Sequence, residues 1–236
     1  MRVKSYGRGS YVHIIQRGTR NLPIVLDDHD RKNFLRSLFY LNRTDVPQNW
    51  KRDCLTYSRN FPMQFPPKWH TAKSLVSILA YALVENHFHL ILEESTENGI
   101  SRFMHKMCTS LAKSYNEKNK TVGTLFQSSY KAKIIDTDSY MRIISVYVQV
   151  KNGFDLLPGG LTQAKKSFQR SFDKVLENPY VSLGDYLGTR RTNILTLDGL
   201  FSSIHGGAGS YKNFAKEYIK NYKKTDTAEL ELLDRI

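Results

Sequence analysis

VENHFHLILEE, Val84 to Glu94, is the stretch on which the fold turns. Its second half, Leu90, Ile91 and Leu92, is apolar, while Asn86, His87 and His89 make the middle polar. In a β-strand successive side chains point to opposite faces, so His87 and His89 share one face and Phe88 takes the other. The stretch therefore predicts a strand with a core against Phe88. On the histidine side it leaves two readings, a chemical site or space-filling imidazoles. On the H-x-H spacing alone the structural reading is the commoner one.

Working outward, SLVSILAYALV (Ser74–Val84) predicts a strand that joins this one near Glu85–Asn86. Upstream, SYVHIIQRGT (Ser10–Thr19) alternates as a strand ending at Gly18. A helix follows with Asp27 or Asp28 as N-cap, because Phe34, Leu35, Leu38 and Leu41 recur at helical spacing. Between Thr44 and Lys73, Pro47, Pro62, Pro66 and Pro67 break every pattern, which predicts a long surface insertion with little regular structure. Downstream, Ile100, Phe103, Met104, Met107, Leu111 and Tyr115 form one apolar helical stripe. A further strand is predicted from Gly123 to Asp136, then a helix capped by Asp138 and stopped by Gly153. The order β, α, β, β, α, β followed by a helix is the split βαβ plan. The expectation is an α+β protein with a ferredoxin-like antiparallel sheet, packed helices and a C-terminal extension. Residues 1–153 form the sheet domain, with the insertion at 44–73, and 154–236 a region for DNA binding or packing.

Composition narrows the partners. The chain has 236 residues, enough for a sizeable core, and a formal net charge of +13. A surplus of that size marks a polyanion partner, and most of it lies in residues 1–75 and 99–154. With 14 Tyr and 12 Phe beside those cations, nucleic acid is favoured, since rings stack on bases while Lys and Arg meet phosphates. Cys54 and Cys108 form no CxxC pair, the N-terminal MRVKSYGRGS carries no signal-peptide core, and no apolar run of about 18 residues exists. No membrane span and a reducing cytoplasm are expected.

Two imidazoles on one strand face can ligate one divalent cation, but a third ligand must come from elsewhere. The helix after the last strand carries Tyr147, in RIISVYVQVKN (Arg142–Asn152). Stacked on the histidine face, it aims a phenol at that cation; taken alone, a tyrosine on an apolar helix is more often core. Arg17 and Arg20 flank Gly18 at a strand end and either clamp a phosphate or close a solvated turn. Gln127 either meets DNA or finishes a turn. Lys131 and Lys133 alternate on one strand face, which suits a phosphate track or plain solvation. His13 reads as a core residue and His105 is given no chemistry.

These residues together resemble the REP-associated tyrosine transposases, within the single-tyrosine HUH transposases of bacterial insertion sequences. HUH denotes His, a hydrophobic residue, His, here His87, Phe88 and His89. HIIQRGTRNLPIV (His13–Val25) is similar to the family's opening H-hydrophobic-x-x-R-G-N segment, and DRKNFLRSL (Asp30–Leu38) to its first helix. ENHFHLIL (Glu85–Leu92) resembles its P-N-H-hydrophobic-H strand, and GTLFQ (Gly123–Gln127) its G-x-L-F-Q turn. SYMRIISVYVQVKNG (Ser139–Gly153) resembles the helix of the nucleophilic tyrosine, and ENPYVSLGDYLG (Glu177–Gly188) a C-terminal segment. The resemblance implies cleavage and rejoining of single-stranded DNA, with hairpin or repetitive DNA as substrate. It implies Tyr147 as nucleophile, His87 and His89 as ligands of Mg²⁺ or Mn²⁺, and a 5′-phosphotyrosine intermediate. It further implies a monomer or homodimer at the bacterial nucleoid. The sequence departs from the family in three places. Lys151 stands four residues after the tyrosine, where the family has a candidate ligand, and is expected to meet the DNA phosphate there. Gln149 and Asn152 are nearby amides that could substitute as the metal ligand, though neither lies one helical turn from Tyr147. Glu85 replaces a proline, and the insertion is long. Two other readings stand beside this one, a DNA-binding protein that has lost nicking and a ferredoxin-like RNA-binding module.

Overall fold

The computed structural model describes residues 6–57, 59, 61–196 and 203–222. Strands β1 (Tyr11–Arg17), β2 (Val76–Leu83), β3 (His87–Glu94) and β4 (Lys131–Ile135) form one antiparallel sheet in the order β2-β3-β1-β4. Helix α1 (Asp28–Tyr40) and the short α2 (Trp50–Cys54) lie between β1 and β2, and α3 (Gly99–Asn119) links β3 to β4. Each helix-linked pair of strands encloses one strand of the other pair, the ferredoxin-like arrangement that the element order predicts.

The sheet buries both faces. On one, Val12, Ile14, Phe88, Leu90 and Leu92 meet Phe34 and Leu38 of α1 and Phe103 and Met107 of α3. The predicted stripe of α3 is this contact. On the other face Ile91 meets the helix of Tyr147, with Phe172, Val175 and Tyr211 from the chain beyond it. A register shift between Ile78 and Ala80 lets β2 serve both cores, with Leu79, Ala80 and Ala82 on the second and Ile78 and Tyr81 on the first.

The second layer is built by α4 (Asp138–Val146), a π turn (Tyr147–Lys151) and α5 (Asn152–Asp155), then α6 (Gly160–Lys166), α7 (Phe168–Glu177), α8 (Leu183–Tyr186) and α9 (Ala208–Asn221). Between α7 and α8 the chain covers the open edge of β2. Leu83 N–H donates to the Tyr180 carbonyl and Ser182 N–H to the Tyr81 carbonyl, which satisfies backbone groups that an edge strand leaves open. The ENPYVSLGDYLG segment therefore has an edge-sealing role.

Three expectations change. The strand predicted from Gly123 begins only at Lys131. Gly123 takes φ +100°, and Leu125 and Phe126 turn into the core, so 123–130 runs as a loop held by Thr19 N–H on the Leu125 carbonyl. The helix cap is Thr137, whose side chain accepts from Tyr140 N–H, and Asp138 sits in the first turn. Gly153 does not stop the helix. It permits a close crossing, since a Cβ there would lie 2.5 Å from Val175 Cγ1. Of the two candidate caps of α1, Asp27 is the one used, accepting from Asp30 N–H. The described residues of the 44–73 insertion are irregular save for α2, as its prolines predict, yet Cys54 and Met63 join the core. Both cysteines are free. Among the described residues no helix is long and apolar enough to cross a membrane.

Candidate active site

His87 and His89 project from β3 toward the second layer, as strand parity requires. Their rings meet edge to face with centroids 4.9 Å apart, His89 fully buried and His87 partly so. The apolar face of α4, with Met141 and Ile144 buried, seats that helix on the sheet and carries Tyr147 onto His89. The two rings stand edge to face at 5.6 Å, and Tyr147 is fully buried. The predicted nucleophile and the predicted ligand pair thus come together within one chain.

The π turn changes which side chains stay beside Tyr147. Asn152 N–H donates to the Tyr147 carbonyl, five residues back, so Asn152 lies one π turn beyond the tyrosine. Asn152 is buried, and its Nδ2 has no hydrogen-bond partner among the described residues. Lys151 also stays at the site. Its ammonium stands 5.0 Å from the centre of the Tyr147 ring and 2.9 Å from Asp155 Oδ2. Gln149 points elsewhere, accepting through Oε1 from Ser182 Oγ at 3.3 Å, beside the sealed edge of β2.

The histidines are held neutral. Burial, then the charges of Arg17 and Lys151, push His87 down to about 3. Burial, then His87, His13, Lys151 and Arg17, hold His89 well below the usual imidazole range. A neutral imidazole keeps the lone pair that a cation needs. Asn86 decides which nitrogen of His87 keeps it. Asn86 Nδ2 donates to the Asn21 carbonyl at 3.3 Å, which turns Oδ1 toward His87. His87 Nδ1–H donates to that oxygen at 2.6 Å and leaves the lone pair on Nε2.

The remaining predicted contacts ring the site unevenly. Arg17 pairs in register with His87 and donates to Asn21 Oδ1 at 3.1 Å. Arg20 is exposed on the turn after Gly18, with φ +56°. Gln127 is exposed, and its N–H donates to the Arg17 carbonyl. Lys131 and Lys133 pair with Ile15 and His13, so both lie on the histidine face, with the Lys133 ammonium 4.7 Å from the Tyr140 ring centre. The sequence assigns His13 to the core alone. It is fully buried, yet its Nε2 lies 3.1 Å from His89 Nδ1. The signal for it is parity: once β1 pairs with β3 in this register, His13 must share the face of His89.

Among the described residues, Asp27, His29 and Asp30 converge closely enough for a metal. They sit at the start of α1, on the other side of the sheet, and the Lys118 ammonium already bridges Asp27 and Asp30 at 2.7 and 2.8 Å.

Residues 68–151 match the family model described as "Transposase IS200 like". The family resemblance stands on that stretch. It contains β2, β3, both histidines, α4 and Tyr147. A solved structure described as "Structure of the REP associates tyrosine transposase bound to a REP hairpin" aligns with 85% of this chain and 92% of its own. The two share 10% identity, with a TM-score of 0.47. No curated protein matches the chain. Within the IS200-like stretch lie the β3 histidines and the tyrosine that contacts them.

Proposed function

We propose that the protein cleaves and rejoins single-stranded DNA beside hairpins, with Tyr147 as the nucleophile. The observation that carries this reading is the continuous contact of His87, His89 and Tyr147 inside an IS200-like stretch. In the reaction the Tyr147 oxygen attacks a backbone phosphorus, and the proton it loses is balanced by one that the departing 3′ oxygen gains, exchanged through solvent. The bond to the 3′ oxygen breaks, giving a 5′-phosphotyrosine and a free 3′-hydroxyl. Attack by a 3′-hydroxyl reverses the step, and the phosphodiester energy is kept in the covalent bond.

The donor set fits a divalent cation. His87 presents Nε2 as a neutral donor, His89 is neutral beside it, and the buried Asn152 amide comes one π turn after Tyr147. Turning that amide over exchanges its unpartnered nitrogen for an oxygen. His87, His89 and Asn152 would hold Mg²⁺ or Mn²⁺, with Asn152 preferred to Gln149, which is tied to Ser182. The bound ion supplies Lewis-acid polarisation of the scissile phosphate. Lys151 adds positive charge beside the Tyr147 ring, partly offset by Asp155. Arg17, Arg20, Gln127, Lys131 and Lys133 track the flanking phosphates. Tyr147 is fully buried, so its oxygen must become exposed before DNA can reach it.

The C-terminal region packs on the second face of the sheet and adds a DNA contact of its own. A groove of about 710 Å³ there is lined by Lys165, Lys166, Arg170, Lys174 and Lys216, with Asp173 and Glu177 as its acidic members. It suits the charged flank of a hairpin stem.

One further reading has an observation behind it. Lys151 and the burial of Tyr147 also suit a DNA-binding protein that has lost nicking. The RNA-binding reading needs exposed aromatics on the central strands, and Phe88 of β3 is fully buried. Incubating the protein with labelled single-stranded hairpin DNA and Mn²⁺, then denaturing it, decides between the first two. A covalent protein–DNA adduct supports the transposase reading; tight binding with no adduct supports the binding protein.

A further inference from the structure

We infer that His13 is a positioning residue of the site: it sets which nitrogen of His89 carries the proton, and so which nitrogen meets a cation. The inference rests on the proposed metal role of His87 and His89. His13 Nε2 lies 3.1 Å from His89 Nδ1, the rings are within 5° of parallel at 5.3 Å, and both side chains are fully buried. Two imidazoles in that contact share one proton between them. If His89 Nδ1–H donates to His13, the lone pair of His89 sits on Nε2 and can bind a cation. If His13 donates, His89 carries its proton on Nε2 and cannot.

The structure already shows the productive form of this device on the neighbouring histidine. Asn86 Oδ1 accepts from His87 Nδ1 and is itself oriented by the Asn21 carbonyl. His13 stands in the same relation to Nδ1 of His89 as Asn86 to Nδ1 of His87. Unlike an amide oxygen, it can reverse its role. His13 Nδ1 has no hydrogen-bond partner among the described residues, so no second bond fixes its tautomer. Cation binding at His89 Nε2 must therefore drive His13 into the form with its proton on Nδ1. A ligand histidine whose other nitrogen is held by an acceptor binds metal more tightly, and loss of that acceptor typically costs roughly ten- to hundred-fold in affinity.

The test is Mn²⁺ binding by calorimetry, without DNA, on the full chain. His13→Phe keeps a ring at the contact and removes the acceptor. Its Mn²⁺ affinity is expected to fall by roughly ten-fold or more. His13→Gln places an amide oxygen near the position of Nε2 and is expected to restore most of the loss. His89→Ala separates the two levels. If Mn²⁺ binding survives His89→Ala, the metal reading fails and this inference with it. If His89→Ala abolishes binding and a folded His13→Phe binds as the wild type does, only the positioning role is lost. A second measurement needs no variant. In ¹⁵N-histidine spectra of the Mg²⁺-saturated wild type, His89 is expected with its proton on Nδ1. A proton on Nε2 overturns the inference.

Discussion

The ring of Tyr147 stands edge-on to that of His89, with centroids 5.6 Å apart and planes at 79°. A tyrosine buried on an apolar helix needs no further reason to pack on a sheet. Here it packs on an imidazole that shares its face with a second imidazole, and one π turn later comes a buried amide. Tyr147→Phe keeps the ring contact and removes only the oxygen. The variant is expected to fold and to bind hairpin DNA with little change in affinity, while adduct on a denaturing gel drops to background. Adduct that persists in the Phe variant names another nucleophile, and Tyr140 is the first to test.

The histidine pair makes a separate prediction. His87→Ala or His89→Ala should abolish adduct formation, and EDTA should do the same to the wild type. Cleavage that is undiminished in EDTA removes the cation from the reading altogether.

Much of this arrangement is legible in the sequence, because period-two alternation assigns faces without knowledge of the partner strand. That is why His87 and His89 separate from Phe88 on paper as they do in the fold. What parity cannot supply is register, so His13 reads as core until β1 is paired with β3. The π turn is illegible for a different reason. VYVQVKN has an ordinary helical pattern, and the extra residue per turn appears only once the helix is seated on β2 and β3. The loop from Gly123 to Tyr130 reads as strand because Leu125 and Phe126 are apolar. Both are buried in the first core, and ladder pairing starts after them.

Gly153 offers a stability test in which two effects oppose each other. In a free helix Gly→Ala stabilises by about 1 kcal/mol. Here the added Cβ would lie 2.5 Å from Val175 Cγ1 and 3.0 Å from Cγ2. Overpacking of that kind costs about 1–3 kcal/mol, so the clash wins. Gly153→Ala should lower the denaturation midpoint, and a pairing with Val175→Ala should return part of the loss.

The buried histidines set the sign of the pH dependence. His205 is nearly buried, its Nε2 lies 2.8 Å from Ser145 Oγ, and burial with the Arg142 charge pushes it down to about 4. Its folded-state pKa is thus below the unfolded value, and protons bind the unfolded chain more strongly. The stability it contributes is present above about pH 6.5 and is lost as pH falls from there toward about 4. Thermal melts across that window should show a smaller fall for His205→Asn than for the wild type.

The groove on α6 and α7 predicts how binding responds to salt. Exposed Lys166, Arg170 and Lys174 line it. If they meet the hairpin stem, replacing all three by Ala should weaken hairpin binding. The slope of log K against log salt should also shrink by about 0.9 for each phosphate no longer neutralised. Binding of an unstructured single strand should change less. An equal loss on both DNAs would mean the groove senses charge alone.

Lys151 decides how freely the site takes a cation. Its ammonium sits near the Tyr147 ring, its charge is felt at both histidines, and Asp155 is 2.9 Å away. The ion pair is what lets the lysine remain beside a cation site, because Asp155 draws off part of its field. Removing the charge with Lys151→Asn should lower the Mn²⁺ concentration for half-maximal adduct by about ten-fold, the scale of one partly screened charge. Asp155→Asn frees the ammonium and should raise that concentration. The two substitutions moving the metal requirement in opposite directions is the signature of repulsion between Lys151 and the ion. Should Lys151→Asn instead abolish cleavage with Mn²⁺ binding intact, the ammonium acts on the phosphate or the phenolate, and its place beside Tyr147 is catalytic.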